Sequence, residues 1–328
     1  MKEERITTLR ELVSKKQIFA PCIWDVFSHR AAAMCGFEAT LLSGGAFSGN
    51  ICGMPDIGLI TADDLVRQTE FIAESSTVPT IVDADDGYGE TPLHAYRTTR
   101  RLARAGAMAL TLDDTTGYRG YNRWGRKFRS GAPDGTIDHP VVSMKDFLAK
   151  TKAALEACEG TDCLLIARTE AKLKYGLDEA IERCLRAREL GAEMTLIIGL
   201  MNQEEAEYVA KYDKGWKMWP DVMTKNGVPD VNLEDIEPLG FNLVTAHFMA
   251  AGAMMGMMDV GKRTLQDRNL CYVDSLTGGF PFGEEAEKKA ERPRRDGKTD
   301  RMRWMEKEER FNDIDLSTDV GIKGKTNI

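Results

Sequence analysis

Two carboxylates, Asp83 and Asp85, follow an apolar stretch of the sequence and could bind a cation. Residues 79–82 are apolar or β-branched and a Gly-Tyr-Gly turn comes after the acids, a pattern typical of a buried strand that ends in a loop. Side chains two apart on a strand point the same way, so both carboxylates can reach one ion. Ligands that are all oxygen favour Mg²⁺, with Mn²⁺ as the alternative, over zinc. A second interpretation is that the acids cap the helix predicted to begin near Thr91.

Other polar residues follow the remaining predicted strands. Asp113 would add a third carboxylate to the metal site, directly or through water. Ser43 and the backbone amides of Gly44 and Gly45 could bind a carboxylate, and Arg168 could donate two hydrogen bonds to an oxyanion. Such a site would chelate a 2-oxo or 2-hydroxy carboxylate and stabilise an enolate, with the metal as Lewis acid.

Trp24 and His247 also lie at the C-terminal ends of predicted strands and complete the candidate substrate site. Each candidate has a purely structural interpretation as well. Arg168 could pair with buried carboxylates, the Ser-Gly-Gly run could be a tight turn, and a single histidine at a strand end is often only structural. We favour a functional site because independent structural roles would not place all of these polar residues at the same ends of the strands.

The chain alternates between short apolar strands and amphipathic helices, which must position these residues. About eight strand-helix units are present, the number that closes a (β/α)8 TIM barrel, an α/β fold in which the polar residues above would meet at one end. An open doubly wound sheet is the alternative, but no glycine-rich dinucleotide motif follows the first strand. The predicted strands are 18–24, 39–44, 80–85, 108–113, 163–169, 194–200, 216–222 and 242–247.

Two regions fall outside this regular pattern. Segment 115–140, after the fourth strand, carries aromatic and basic residues and is either a substrate lid or a solvated insertion. Beyond about residue 261, charged residues dominate and apolar anchors are few. We therefore predict a catalytic barrel over residues 1–260 and an extension over residues 261–328 that is helical or partly disordered.

The composition is that of an ordinary globular protein and argues against several function classes. A formal net charge of -8 disfavours nucleic-acid binding but is compatible with a small anionic substrate. No apolar run approaches the roughly 20 residues that cross a bilayer. The 7 cysteines include no C-x-x-C pair, which indicates neither a disulfide framework nor a zinc site. The charged N-terminus has no signal-peptide core after it, so we expect a cytoplasmic protein.

Five motifs in order along about residues 19–258 resemble the isocitrate lyase/phosphoenolpyruvate mutase superfamily. They lie at residues 24–25, 42–45, 53–61, 82–89 and 167–171, and the Asp-x-Asp-x-Gly-Tyr-Gly element in the fourth is specific enough to identify the chain as a member. The resemblance implies a (β/α)8 barrel that exchanges its last helix with a neighbour, in a tetramer or a dimer of such pairs. It also implies Mg²⁺, an enolpyruvate-like intermediate, and Asp56 acting behind the metal through water.

Departures from the family pattern narrow the expected function. The family's isocitrate and methylisocitrate lyases carry a catalytic cysteine in a Lys-Arg-Cys-Gly-His loop, whereas residues 118–122 of this chain read Tyr-Arg-Gly-Tyr-Asn. The Lys-Thr-Asn-Ser loop of the mutases also matches this segment poorly. The closest local similarity is to the family's oxaloacetate decarboxylases, which share an apolar run at residues 196–198 and a histidine like His247. Asp113 stands where the family usually has a glutamate.

The resemblance and the residues together predict a Mg²⁺-dependent lyase for a small 2-oxo or 2-hydroxy dicarboxylate, similar to oxaloacetate decarboxylase. The aspartates of strands three and four would hold the metal, and the Ser-Gly-Gly run would take the C1 carboxylate. Arg168 would stabilise the enolate oxygen, while His247 would orient the substrate or protonate the enolate. The alternatives are phosphoryl transfer of the phosphoenolpyruvate mutase type, carbon-carbon cleavage of a substituted malate, and a non-catalytic metabolite-binding barrel.

Overall fold

The computed structural model describes residues 6–116, 141–277 and 300–312. The chain divides by its contacts into two compact units, Met1–Met255 and Gly256–Ile328. Compactness does not show independent folding, so the domains 1–260 and 261–328 stay a prediction. Within the described ranges, no helix is long and apolar enough to cross a membrane.

Parallel strands close into an eight-stranded barrel. The strands are β1 (Ile18–Ile23), β2 (Thr40–Leu42), β3 (Thr80–Asp83), β4 (Ala109–Leu112), β5 (Leu164–Thr169), β6 (Met194–Ile197), β7 (Trp216–Trp219), β8 (Thr224–Lys225), β9 (Val228–Pro229) and β10 (Phe241–Ala246). β1 to β7 pair in chain order, and β10 closes the ring against β1, while β8 and β9 form a separate antiparallel pair. The (β/α)8 prediction is therefore confirmed, and the open doubly wound sheet is excluded.

Helices connect the strands, and their ends carry the expected capping residues. They are α1 (Leu9–Val13), α2 (Val26–Met34), α3 (Gly44–Asn50), α4 (Ala62–Ser75), α5 (Pro92–Arg104), α6 (Met144–Cys158), α7 (Lys172–Tyr175), α8 (Leu177–Glu189), α9 (Gln203–Tyr212), α10 (Leu233–Ile236), α11 (Met249–Asp267), α12 (Cys271–Thr277) and α13 (Asp300–Asn312). Thr61 begins α4 by accepting a hydrogen bond from the Asp64 amide at 3.3 Å. Gly106 follows α5 with φ +103, and a Cβ there would lie 2.5 Å from Ala73 Cβ, which explains the glycine.

Alternation along the strands decides which side chains enter the barrel. In β5, Leu164 and Ile166 belong to the central buried cluster, whereas Leu165 packs in the cluster beneath the helices. The period of two makes Arg168 the next inward position, at the end of the strand. The same alternation in β3 leads from Ile81 to Asp83. It also carries three further residues to inward positions just past their strands: Ser43, Asp113 and His247.

The opposite end of the barrel is closed by a separate buried network. Arg188 Nη2 donates to Asp213 Oδ2 at 3.0 Å, and Thr195 Oγ1 donates to the same oxygen at 2.7 Å. Lys217 Nζ donates to the backbone carbonyls of Asp213 at 2.8 Å and Gly215 at 2.7 Å, and burial lowers the pKa of Lys217 to about 8. Each of these charged groups has a partner, so the network stabilises the barrel bottom and is distinct from the candidate site.

Candidate active site

Arg168 lies among carboxylates that follow β3, β4 and β5. Its Nη1 donates to Asp83 Oδ1 at 3.0 Å, its Nη2 forms an ion pair with Glu170, and Asp113 Oδ2 lies 3.6 Å from Nη2. Arg168 is only 6% exposed. Burial would lower the pKa of Arg168, but the three carboxylates outweigh it and raise the pKa, so the guanidinium stays charged. The structural pairing and the fixed cation expected from the sequence are thus both present.

Asp85 is held in an uncommon backbone conformation beside the loop that follows β2. Its φ is +48, and its carbonyl oxygen accepts from the Asp113 amide at 2.7 Å. The Tyr88 hydroxyl donates to Asp85 Oδ2 at 3.3 Å, and a Cβ placed on Gly44 would lie 3.4 Å from the same oxygen. Thr91, rather than an aspartate, is the N-cap of α5, so the interpretation of Asp83 and Asp85 as helix caps is wrong.

The two neighbouring aspartates are fixed by threonine hydroxyls. Asp83 Oδ1 accepts from Thr111 Oγ1 at 2.9 Å. Asp113 Oδ1 accepts from the Thr115 amide at 2.9 Å and from the Thr115 hydroxyl at 2.6 Å. Asp113 is 1% exposed, and this burial raises its pKa more than Arg168 lowers it. The carboxylate positions are therefore determined by the barrel itself.

The charges and donor types of this group fit a hydrated divalent cation. Three carboxylates, those of Asp83, Asp113 and Glu170, lie near one guanidinium, and the Asp85 carboxylate lies beside Gly44. All of these donors are oxygen atoms, and Mg²⁺ usually takes one or two carboxylates and keeps several waters. Among the described residues, no three His, Cys, Asp or Glu side chains are grouped as a ready-made metal cage. A magnesium ion that binds mainly through water is consistent with this arrangement.

A second part of the site joins the loops after β2, β7 and β10. His247 Nε2 lies 3.1 Å from Ser43 Oγ, and His247 Nδ1 lies 3.0 Å from Asp221 Oδ2. The His247 amide also donates to Asp221 Oδ1 at 3.1 Å. The hydrogen bond that Asp221 accepts from the ring raises the pKa of His247. The structure therefore brings together Ser43 and His247, two predicted substrate residues separated by 204 positions in the chain.

The remaining predicted site residues are Asp56 and Trp24. A Cβ on Gly45 would lie 2.9 Å from Asp56 Oδ2, so the Asp56 carboxylate lies directly against that backbone. Trp24 is buried in the hydrophobic cluster that includes Phe47 of α3. The structure thus gives Trp24 a packing role, and its contact with substrate stays a prediction.

A buried network that the sequence analysis did not predict lies behind the carboxylates. Asp114 accepts from the Glu170 amide at 2.8 Å, from Thr169 Oγ1 at 2.6 Å and from Arg183 Nη1 at 3.0 Å. Arg183 Nη1 also donates to the Val142 carbonyl at 2.9 Å. One signal was available, because Arg183 interrupts the apolar stripe of α8, and a charge on such a stripe needs a buried partner.

Part of the predicted lid lies outside the described residues. Thr115 and Val141 pair across its two ends, but residues 117–140 are among those for which no structure is described. The lid interpretation of segment 115–140 therefore stays a prediction.

Comparison with known proteins agrees with the fold. A family model described as phosphoenolpyruvate phosphomutase matches residues 9–265. The 2,3-dimethylmalate lyase of Eubacterium barkeri is 29% identical, over 84% of this chain and 92% of that protein. An oxaloacetate decarboxylase of Rhodopseudomonas palustris is 32% identical, over 63% of this chain and 67% of its own length. A crystal structure of phosphonopyruvate hydrolase with oxalate and Mg²⁺ has a TM-score of 0.69 at 21% identity, covering 85% of this chain and 91% of that one, which shows the shared fold.

The barrel and the acid-cation group at its strand ends define an enzyme, and its relatives make that enzyme a carbon-carbon lyase. The chain belongs to the isocitrate lyase/phosphoenolpyruvate mutase superfamily, as its motifs predicted. The non-catalytic interpretation is thereby excluded.

Proposed function

We propose that this enzyme is a Mg²⁺-dependent decarboxylase of a small 2-oxo dicarboxylate, similar to oxaloacetate decarboxylase. The observation that carries the proposal is the buried Arg168 cation fixed by Asp83, Glu170 and Asp113 at the strand ends. A fixed guanidinium in a buried site can stabilise negative charge that develops on a substrate oxygen. The relative named oxaloacetate decarboxylase supports this choice of substrate.

Each residue of the site acts on a different part of the proposed substrate. Ser43, with the amides of Gly44 and Gly45, binds the C1 carboxylate. Arg168 stabilises the C2 oxygen when the bond between C3 and the departing carboxyl group breaks, and its electron pair passes into the enolate as CO₂ leaves. His247 then supplies a proton to C3, which completes pyruvate. The substrate would thus lie with its C1 carboxylate at the end of β2 and its C2 oxygen at the end of β5.

Asp85, with Asp83 and Asp113, would hold the metal, and Asp56 would act behind it through water. When bound, Mg²⁺ supplies Lewis-acid stabilisation of the same developing charge. Replacing Asp85 by alanine is expected to abolish turnover while the far-UV circular dichroism spectrum stays unchanged. An Asp178→Asn variant, altered at an exposed position that binds Tyr208, is the matched control. Full activity of the Asp85→Ala variant, or full activity in excess EDTA, would contradict the metal assignment.

A second candidate is carbon-carbon cleavage of a substituted malate. It is favoured by the relative named 2,3-dimethylmalate lyase, which matches over 84% of this chain. The two reactions differ in their products, since decarboxylation releases CO₂ and malate cleavage releases two organic acids. A third possibility, phosphoryl transfer, is named by the matching family model.

One experiment distinguishes the three candidate reactions, which are decarboxylation, carbon-carbon cleavage of a substituted malate and phosphoryl transfer. The enzyme with Mg²⁺ is incubated with oxaloacetate, 2,3-dimethylmalate and phosphonopyruvate, and products are followed by ¹H, ¹³C and ³¹P NMR. We expect pyruvate and CO₂ from oxaloacetate above the rate of the buffer with Mg²⁺. Turnover of only one of the other two acids would replace the decarboxylase proposal with the corresponding alternative.

We also propose a cytoplasmic homo-oligomer built from pairs that exchange a C-terminal helix. The support is α11, which exposes Met254, Met255, Met257 and Met258, with 49 to 72% of each residue accessible. Apolar side chains that are this exposed on one helix are typical of a surface that another chain covers. The net charge of -8 and the anionic substrate give no reason to expect a nucleic-acid partner.

A further inference from the structure

The Ser43 hydroxyl has two neighbours in the structure that compete for its proton and lone pairs. Its oxygen accepts from the Ala46 amide at 3.2 Å, which caps α3. The same oxygen lies 3.1 Å from His247 Nε2. On the other side of the imidazole, Nδ1 lies 3.0 Å from Asp221 Oδ2. Ser43 thus ends a chain that runs from a carboxylate through an imidazole to a hydroxyl.

The chemistry of the three groups fixes the direction of each hydrogen bond. An ionised carboxylate only accepts, so Nδ1 of His247 carries a proton toward Asp221 in both states of the ring. In the neutral ring Nε2 is an acceptor, so Ser43 must donate its only proton to it. In the cationic ring Nε2 donates a hydrogen bond to the Ser43 oxygen, which accepts a second one from the Ala46 amide. The Ser43 proton is then available for another acceptor.

We propose that protonation of His247 switches the Ser43 hydroxyl from donating to the imidazole to donating to the substrate carboxylate, with Asp221 as the positioning residue that holds the imidazole. The inference rests on the proposed function, in which Ser43 binds the C1 carboxylate. It assigns Asp221 a role in substrate affinity although Asp221 need not touch the substrate.

The charges around His247 favour its cationic, binding-competent form. The groups that act on it are Asp221, which also accepts its hydrogen bond, and the more distant carboxylates of Asp83 and Asp56. All three raise the pKa of His247, whereas its partial burial opposes them. The side chain is 49% exposed, so solvent protons reach it without a conformational change. Affinity for a carboxylate ligand should therefore fall as the pH rises through the pKa of His247.

The test measures binding of oxalate, a planar dianion that resembles an enolate, by calorimetry with saturating Mg²⁺ between pH 5.5 and 9. The protonation of His247 is read in parallel from its ring ¹H and ¹³C NMR signals, assigned with a His247→Gln variant. For the wild type we expect affinity to weaken by up to about tenfold per pH unit above the pKa of His247. An Asp221→Asn variant should move both the NMR transition and the loss of affinity to lower pH.

Variants of Ser43 distinguish the switch from simple attraction between a cationic ring and an anion. Ser43→Ala should bind oxalate weakly at every pH, and its affinity should not change as His247 titrates. Ser43→Thr keeps the hydroxyl and should therefore keep both the affinity and its dependence on pH. The exposed Asp178→Asn variant should match the wild type throughout. Together these variants isolate the hydroxyl proton as the quantity that His247 controls.

Two results would overturn the proposal, and they are distinguishable from failure of the proposed function. Persistence of the full pH dependence in Ser43→Ala would show attraction by the ring alone. Constant oxalate affinity while His247 titrates would show that the hydroxyl does not switch. Absence of oxalate binding at every pH would instead contradict the proposed carboxylate site itself, and the inference with it.

Discussion

At the scale of single residues, the backbone of Gly45 leaves no room for a side chain beside the carboxylate of Asp56. A Cβ on Gly45 would lie 2.9 Å from Asp56 Oδ2, a distance that Cβ atoms do not adopt without displacing the neighbour. Gly45 is therefore required by the position of Asp56, and the pair joins the proposed carboxylate site to the proposed water shell of the metal.

Gly45→Ala is expected to displace Asp56 and reduce kcat/KM by about tenfold or more, as small misplacements of site groups do. The matched control is Gly49→Ala in the same helix, α3, where no atom of the described residues outside that helix's backbone and the chain neighbours of Gly49 lies within 4 Å of the added carbon. That control should keep its activity and gain about 0.5 to 1 kcal/mol in stability, because alanine favours a helix over glycine. Steady-state kinetics and urea unfolding of both variants check this, and equal activity of the two would show that Asp56 moves without consequence.

At the scale of secondary structure elements, α8 holds together three segments through one arginine. Arg183 contacts Asp114 after β4 and the Val142 carbonyl before α6, and Asp114 in turn binds the Glu170 amide after β5. Glu170 pairs with Arg168. A helix on the outside of the barrel is thus connected to the site by consecutive hydrogen bonds.

Arg183→Met is expected to leave the Asp114 carboxylate buried without its cation and to lower the free energy of unfolding by about 3 to 5 kcal/mol. The control is Arg186→Met on the same helix, where the arginine is exposed and pairs with Glu182 and Glu189. Its stability should stay close to that of the wild type. Urea unfolding measures the stability of both variants. Similar unfolding midpoints for the Arg183 and Arg186 variants would contradict the role given to Arg183.

Strand periodicity explains how much of the site the sequence could predict. A period of two was sufficient to place Asp83 and Arg168 at inward positions, because β3 and β5 both obey it. It could not predict the pairing of Asp221 with His247 or of Arg183 with Asp114, since those contacts depend on loop paths and helix rotation. Strand periodicity also could not predict the left-handed backbone of Asp85, because an aspartate adopts that conformation only where its surroundings impose it.

At the scale of the whole molecule, the stability of the barrel should depend on pH through a buried histidine. His29 is 1% exposed, with Nδ1 2.9 Å from Thr40 Oγ1 and Nε2 2.9 Å from Ser76 Oγ. Burial lowers the pKa of His29 from 6.5 to about 4, so the folded protein keeps this ring neutral where the unfolded chain protonates it. The unfolded state then binds more protons between these two values, which favours unfolding as the pH falls.

The contribution of His29 to the free energy of unfolding should be complete above pH 6.5 and decline toward pH 4, by up to about 3 kcal/mol in total. Replacing His29 by glutamine removes the titrating group and should flatten this part of the curve of unfolding free energy against pH. A His94→Gln variant, altered at an exposed position, should keep the wild-type slope. Urea unfolding at half-unit pH steps measures all three, and identical slopes would contradict the assignment.

The exposed methionines of α11 lead to a second prediction for the whole molecule. Met255→Glu together with Met258→Glu should shift the sedimentation coefficient toward that of a monomer, because charges would be buried if another chain covers this face. Lys262→Glu, an exposed change on the same helix, should leave the assembly intact. Unchanged sedimentation of the double variant would contradict the helix-exchanged oligomer.

The left-handed backbone of Asp85 and Tyr88 has a consequence for how this protein evolves. Both residues have φ near +50, at +48 and +56, a conformation that glycine adopts without penalty and that costs most other residues about 1 kcal/mol or more. The proposed metal role of Asp85, together with the hydrogen bond that Tyr88 donates to it, would retain an aspartate and a tyrosine where folding alone would select glycine or asparagine. In a duplicated copy released from selection for activity, we expect these two positions to diverge early, while the strand sequences that close the barrel persist.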